Sequence, residues 1–411
     1  MKFRWETEFK KTPIGEIPKD WNVKEIQEVM FINKRPKNRQ DKPIAFIPME
    51  KIPVDGILPE FEFRTPNEVK SGIEVPPSSI LFAKITPSFE HGKMCIVPNN
   101  SNYRWIATTE VFSLIPRDNK VSTKFVFYYL RHPIPKDTLE YSMTGTSGRQ
   151  RVDRHALETL LLPYPPPEEQ QRIATALSWF DDLIENKRKQ NEVLEKVAMA
   201  IFKSWFIDFE PFQDEEFVYS EELDMEIPKG WEVKPIGEVA EFHDSKRIPL
   251  SEIERQNRKG PYPYYGANGI IDYIDDYIFD GFYLLVAEDG TVMDERGLVV
   301  SRLVHGKFWA NNHVHVITGR GVSIEYLYLH LKFTPIEPYV TGAVQAKLNQ
   351  RNFSQMPVLI PPKPILEKFH SLVEPLFRKI IINEKEIMVL KGVRDTLLPQ
   401  LVFGRLRVEE L

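Results

Sequence analysis

Between Pro167 and Phe209, one side of the chain recurs in alternating steps of four and three. It runs Ile173, Leu177, Phe180, Ile184, then the polar pair Lys187 and Asn191, then Leu194, Ala198, Ile201 and Trp205. Such a heptad seam keeps one helix against another over many turns. From Lys363 the ladder returns as Phe369, Val373, Leu376, Ile380, Asn383, Ile387, Leu390, Arg394, Leu397 and Leu401, each rung 196 residues after its counterpart. Two matched helices in one chain, each with a stripe to bury, are expected to pair with each other. The four polar rungs, Lys187, Asn191, Asn383 and Arg394, either fix register at some cost in stability or reach from the rim into water.

A helix of roughly 40 residues is about 60 Å long. A parallel pair would make the linker of roughly 16 residues retrace that length, and fully extended it reaches only about 50 Å. An antiparallel pair is therefore expected, with a globular region at each end and a pseudo-twofold between the halves. The rest of the chain repeats too. Glu16-Ile17-Pro18-Lys19-Asp20-Trp21 returns 210 residues later as Glu226-Ile227-Pro228-Lys229-Gly230-Trp231. Each copy predicts a turn, a Trp anchor and a short strand. Trp105-Ile106-Ala107-Thr108-Thr109-Glu110 is paralleled by Phe308-Trp309-Ala310-Asn311-Asn312-His313, and Thr144-Gly145 by Thr341-Gly342. The framework recurs while its loop side chains change, as expected of two readers with different ligands.

Alternating apolar runs predict strands over 44–47, 80–83, 94–97 and 111–115, with a further strand pair around Leu284 and Val299. Residues 121–131 predict a short helix with Phe125, Tyr128 and Tyr129 inward, and 210–225 a linker. The fold class is thus α+β: two similar globular α/β domains (1–164 and 213–360) and two long helices (165–212 and 361–411) forming an intramolecular antiparallel coiled coil. A length of 411 residues requires at least two cores. The net charge of −5 gives no global attraction to nucleic acid, so any such site must be a local basic patch. The single cysteine, Cys95, excludes an internal disulfide and a thiolate zinc site. It lies in an apolar run and is expected in the core. Without a signal-like N-terminus or a run of 18 apolar residues, a cytoplasmic protein is expected.

Catalytic signatures are not evident. Walker A and G-x-G-x-x-G loops are missing, as is an Asn-Pro-Pro-Tyr tetrapeptide. Asp55 with Glu68-Val69-Lys70 matches metal-dependent nucleases only loosely, and His313 with His315 lacks a third ligand, so neither a catalytic nor a metal site is assigned. Binding chemistry is richer. Residues 31–42 carry Lys34, Arg35, Lys37, Arg39 and Lys42 against one acid, Asp41, in a proline-marked loop, and Thr144 to Arg151 combines glycines, hydroxyls, Arg and Gln. Both suit phosphates or base edges, although a solvated loop has the same composition.

Three stretches carry a resemblance to a known family. They are Thr144-Gly145-Thr146-Ser147-Gly148-Arg149-Gln150-Arg151-Val152, Leu162-Pro163-Tyr164-Pro165-Pro166-Pro167-Glu168-Glu169-Gln170-Gln171-Arg172, and Ile201-Phe202-Lys203-Ser204-Trp205-Phe206. With Leu397-Leu398-Pro399-Gln400-Leu401 and the order variable region, helix, variable region, helix, they closely resemble the DNA-specificity subunit of Type I restriction–modification systems. The resemblance implies two target-recognition domains, each reading half of a bipartite, asymmetric sequence in double-stranded DNA, with the coiled coil setting the spacer. It implies a non-catalytic adaptor without cofactor of its own. Two methyltransferase subunits supply S-adenosylmethionine-dependent adenine-N6 methylation, and restriction subunits add ATP- and Mg-dependent translocation and cleavage. Loop position within that resemblance makes Lys34, Arg35, Lys37, Arg39, Lys84, Thr86, Ser88, Thr146, Ser147, Arg149, Gln150 and Arg151 the DNA-binding candidates of the first domain. Those of the second are His243, Ser245, Lys246, Arg247, Tyr264, Tyr265, Asn268, Asn311, Asn312, His313, Gln345 and Lys347. Asn and Gln suit adenine and Arg suits guanine. Two other classes are compatible with the sequence: a stand-alone nuclease or methyltransferase, and a coiled-coil scaffold that does not read DNA.

Overall fold

Both long helices form, each 40 residues: Pro167–Phe206 and Lys363–Val402. A computed structural model describes the chain apart from residues 1, 37–41, 147, 343–345 and 411. It has two compact units, Met1–Lys187 with Glu386–Leu411, and Arg188–Lys385. Each unit thus holds half of each helix, whereas the boundaries read from the sequence set the helices apart as their own segments.

In the first unit the helices meet through Asp181 and Arg394, 2.5 Å apart, and through Lys187 and Glu386. In the second, the Asn383 side chain donates to Asn191 at 2.8 Å and to Gln190 at 3.3 Å, and Phe202 packs edge-on against Phe369. Within either unit, residue numbers rise along one helix as they fall along the other, so the pairing is antiparallel. Ile173, Leu177, Ile184, Phe369, Val373, Ile387 and Leu401 are buried in the seam. Phe180, Leu194, Ile201, Trp205, Leu376, Ile380, Leu390 and Leu397 are half-buried. Each fully buried rung contributes roughly 1.5–3 kcal/mol. Of the polar rungs, Asn383 and Arg394 are buried rather than at the rim, while Lys187 and Asn191 are half-buried.

The first unit carries two four-stranded sheets. One runs in the order Met94–Ile96, Ile80–Ala83, Val111–Pro116, Met30–Ile32. The other runs Glu62–Arg64, Ile44–Ile47, Arg104–Ala107, Ile73–Glu74. Alternation along the first sheet decides the packing. Ile80, Phe82, Phe112 and Leu114 face the core shared with Ile173, Leu177 and Leu401, and Leu81, Cys95 and Val111 face Ile47 and Trp105. The second unit has one six-stranded sheet, Ala240–Phe242, Val314–Gly319, Phe279–Ala287, Ser301–Ala310, Lys259–Gly266, Gly269–Ile274. Leu284 lies in it as expected, but its partners are Ser301–Ala310 and Val314–Gly319, and Val299 precedes the strand. The expected linker is also corrected. Phe217–Ser220 pairs with Met225–Pro228, and Phe209 and Phe212 pack edge-on against Trp231.

The repeated Trp anchors differ in chemistry. The Trp21 indole donates to the buried Glu169 carboxylate at 3.0 Å, and Arg407 donates to the same group. Trp231 instead sits among Phe206, Phe209 and Phe212. The short helices over each sheet correspond as well: Thr123–Arg131 is capped by Ser122, and Ile324–Leu331 by Ser323. Tyr129 of the first, which bonds the Leu161 carbonyl, is replaced by His330 of the second, which bonds the Pro357 carbonyl at 3.0 Å.

Burial pushes the His330 imidazole down to about 4. A group whose folded pKa is depressed loses stability as protons bind the unfolded state preferentially. The second unit is therefore expected to be at full stability above about pH 6.5 and to lose roughly 3 kcal/mol between there and pH 4. Urea unfolding of the wild type and His330→Gln across that range checks this: the difference between them should shrink with acid, and a constant difference would contradict it.

Candidate nucleic-acid interface

In the first unit the candidates around residue 85 and those around residue 150 meet. Ile85 and Thr144 both bridge to Arg151. The Thr86 amide donates to the Gln150 carbonyl, and the Gln150 amide to the Thr86 hydroxyl, each at 3.0 Å. Val152 donates to the Lys84 carbonyl at 2.8 Å. Gly145 has φ +129, and a Cβ there would come 2.9 Å from the Arg149 carbonyl oxygen, so the turn needs glycine. The surface so built presents Thr146, Arg149 and Arg151. Arg151 grips both oxygens of Glu110 at 2.9 Å, and these hydrogen bonds hold the Glu110 carboxyl below its usual range despite its partial burial. Arg149 is exposed and has no ion pair among the described residues. Lys34 lies over the Phe31 ring, as does Arg117, which the sequence reading missed. Lys34 and Arg35 are exposed and Ser88 is half-buried. Thr86, at 7% exposure, serves the loop rather than the surface. Lys37, Arg39 and Ser147 lie outside the described residues.

The second unit rebuilds the same corner with other charges. Thr341 and Asp289 bridge to Lys347, and Leu348 donates to the Glu288 carbonyl at 2.7 Å, as Val152 does to Lys84. Where the first unit has Lys84, Glu110 and Arg151, the second has Glu288, His313 and Lys347. Lys347 lies 3.4 Å from Glu288, and exposed His313 lies 2.6 Å from Asp289. Behind them is a closed network. Arg247 donates to Glu288 at 2.8 Å and to the Val314 carbonyl at 2.5 Å, and lies 3.5 Å from Asp244. His315 is fully buried, with Asp244 at 2.6 Å from one ring nitrogen and the Leu348 carbonyl at 2.7 Å from the other. Asp244, Glu288 and His315 place ligand atoms within 4.8 Å of one another. The guanidinium of Arg247 bridges the two carboxylates, so the cluster already has its cation.

Several second-unit candidates are therefore placed differently from expectation. Tyr264 is corrected outright: at 1% exposure it packs with Ile274 and Trp309, and its hydroxyl accepts from the Leu250 amide at 2.9 Å. Asn311 is 5% exposed and its side-chain oxygen accepts from the His313 amide. Tyr265 is half-buried against Phe308, its hydroxyl pushed up to about 12 by burial. His243 is half-buried, bonded to Thr318, and burial lowers its imidazole. Ser245, Lys246, Asn268, Asn312, His313 and Lys347 are exposed, and Gln345 lies outside the described residues. The Asp55–Glu68 reading gains no support from geometry: Asp55 pairs with Lys391 and Arg394, while Glu68 accepts from Thr65. The sequence reading also missed Glu110, which could have been found as the strand-end residue aligned with His313.

Two copies of one scaffold, each tied to a half of the same helix pair and each presenting its own loop chemistry, define a duplicated recognition protein. The description "Type I restriction modification DNA specificity domain" matches residues 18–196 and 228–391, and the chain belongs to that family. It is 39% identical to the Type I restriction enzyme MjaIX specificity subunit of Methanocaldococcus jannaschii, over 100% of this chain and 99% of that protein. It is 24% identical to the HindI specificity subunit of Haemophilus influenzae, over 83% and 89%. The crystal structure of a Type I S subunit from M. genitalium shares the fold, with TM-score 0.50 and 16% identity over 93% of this chain and 96% of that one. Among the described residues no helix is long and apolar enough to cross a membrane.

Proposed function

We propose that the chain reads a bipartite, asymmetric target in double-stranded DNA, one half with each unit, as the specificity subunit of a cytoplasmic Type I restriction–modification complex. The observation that carries this is the rebuilt corner: Lys84, Glu110 and Arg151 on one copy of the scaffold against Glu288, His313 and Lys347 on the other. One framework with exchanged charges suits two different half-sites. Two modification subunits dock along the helices and bring S-adenosylmethionine for adenine methylation, and restriction subunits bring ATP and Mg. Exposed apolar residues on the helices support docking there: Trp179, Leu183, Val389 and Val393 in the first unit, Val193, Val197, Leu372 and Ile382 in the second. Methylated adenines mapped in DNA exposed to the reconstituted complex should fall in a single two-part sequence. Methylation without sequence preference would favour the plain scaffold.

Arg149 and Arg151 provide the local test. Replacing Arg149 with Ala should weaken DNA binding by the assembled complex several-fold and lower the salt slope by about 0.9, as for one lost phosphate contact. Arg151→Ala should act similarly, moderated because Glu110 already shares its charge. Unchanged affinity in both, measured by anisotropy at two salt concentrations, would remove this corner from the interface.

A further inference from the structure

The first unit contains a half-open cavity of about 580 Å³ bounded by the first sheet, the helix Thr123–Arg131 and the last turns of the C-terminal helix. Its floor is apolar: Phe82, Phe89, Met94, Leu130 and Leu398. Its walls carry the cations Arg131, Lys136, Lys391 and Arg394 against the carboxylates Asp55 and Asp395, and Asp181, buried behind Arg394, is a third carboxylate, so the cations exceed the carboxylates by one. Two of these cations have no carboxylate within ion-pair distance among the described residues. Arg131 donates to the Gly56 carbonyl and stacks on Phe127, and Lys136 donates to the Glu90 carbonyl at 2.6 Å. The rim is apolar and uncovered: Val54 is 54% exposed and Ile134, beside the lining Pro133, is 44% exposed.

We propose that this cavity is a socket for a protein partner, taking an acidic side chain flanked by apolar residues. The cations in excess of carboxylates call for an anion. The apolar floor and rim call for hydrocarbon around that anion, which a DNA backbone does not offer. Among the described residues, the cavity beside the helices of the second unit is built differently. It is about 160 Å³ and is lined by Glu195 and Glu384 with Arg302 and His305, and Glu195 stands where the first repeat has Lys391. The socket therefore distinguishes two otherwise similar docking positions. The inference rests on the reading that modification subunits bind this chain, and it deepens that reading by giving one of the two copies an additional anchor.

The test titrates the full chain with its cognate modification subunit. Wild type should bind two copies. Lys136→Glu and Val54→Glu should each keep one tight site and weaken the other at least tenfold, while Lys120→Glu, outside the cavity, binds as wild type. Both socket variants binding both copies within twofold of wild type would overturn the socket and leave the proposed function standing. A wild type that binds no modification subunit would overturn the proposed function, and the socket with it. A photocrosslinking residue at position 54 gives a readout independent of charge reversal. Capture of a modification-subunit peptide carrying Asp or Glu between apolar residues supports the socket, and capture of DNA, or of a peptide without an acidic residue, overturns it.

Discussion

Arg394→Ala should destabilise the first unit by about 3–5 kcal/mol, the largest single-residue effect expected on the helix seam. Arg394 is 6% exposed and lies 2.5 Å from Asp181 and 2.8 Å from Asp55. Asp181 also accepts from the buried Tyr128 hydroxyl at 2.6 Å. Without the guanidinium, Asp181 is a buried carboxylate that has lost its ion-pair partner and keeps only the more distant Arg131 against its desolvation. Asp55 keeps Lys391 at 2.6 Å, so its loss is smaller. Burial alone would raise the Asp55 carboxyl, but Lys391 and Arg394 outweigh it and hold it far below the ordinary carboxylate range. Because its folded pKa is depressed, the stability it contributes is present above about pH 4 and is lost as pH falls through the lower folded value. Hydrogen exchange in urea, read on first-unit peptides, checks the prediction. The double variant Asp181→Leu with Arg394→Met should recover most of the loss, since matched apolar groups remove the unpaired charge rather than create it. An Arg394→Ala chain as stable as wild type would show that water reaches the network.

The helix pair was legible because a heptad needs only one-dimensional spacing, and two ladders 196 residues apart leave little freedom in what they contact. The Trp anchors were legible as repeats, but their partners were not. Nothing local tells that Trp21 meets a carboxylate while Trp231 meets three phenylalanines. Tyr264 was misplaced for a specific reason. Pro261 and Pro263 precede it and read as turn residues, yet the segment is the strand Lys259–Gly266. That strand tolerates them because its parallel pairing with Ser301–Ala310 involves only Tyr264 and Tyr265. The buried His315 network was illegible because its bonds span 71 residues to Asp244, and Arg247 reaches Glu288 across 41. Sequence spacing finds charges that suit DNA. It does not tell which of them already hold each other.

That distinction is sharpest between Arg247 and Lys347, both of which suit DNA by chemistry and loop position. The Arg247 side chain is 13% exposed and joins Glu288 to Asp244, themselves 13% and 6% exposed. Arg247→Ala should therefore destabilise the second unit by about 3–5 kcal/mol, because two largely buried carboxylates lose the cation between them. At temperatures where the variant remains folded, its DNA affinity in the assembled complex should stay within about threefold, as expected where no phosphate contact is lost. Lys347 is 48% exposed and only 3.4 Å from Glu288, so Lys347→Ala should change stability by less than about 1 kcal/mol. It should nonetheless weaken DNA binding several-fold and lower the salt slope by about 0.9, without preventing assembly. Paired denaturation and binding measurements on the two variants separate the roles. A stable Arg247→Ala chain that has lost DNA affinity would make Arg247 a reader. A Lys347→Ala chain with unaltered salt dependence would place the phosphate contacts of the second unit elsewhere.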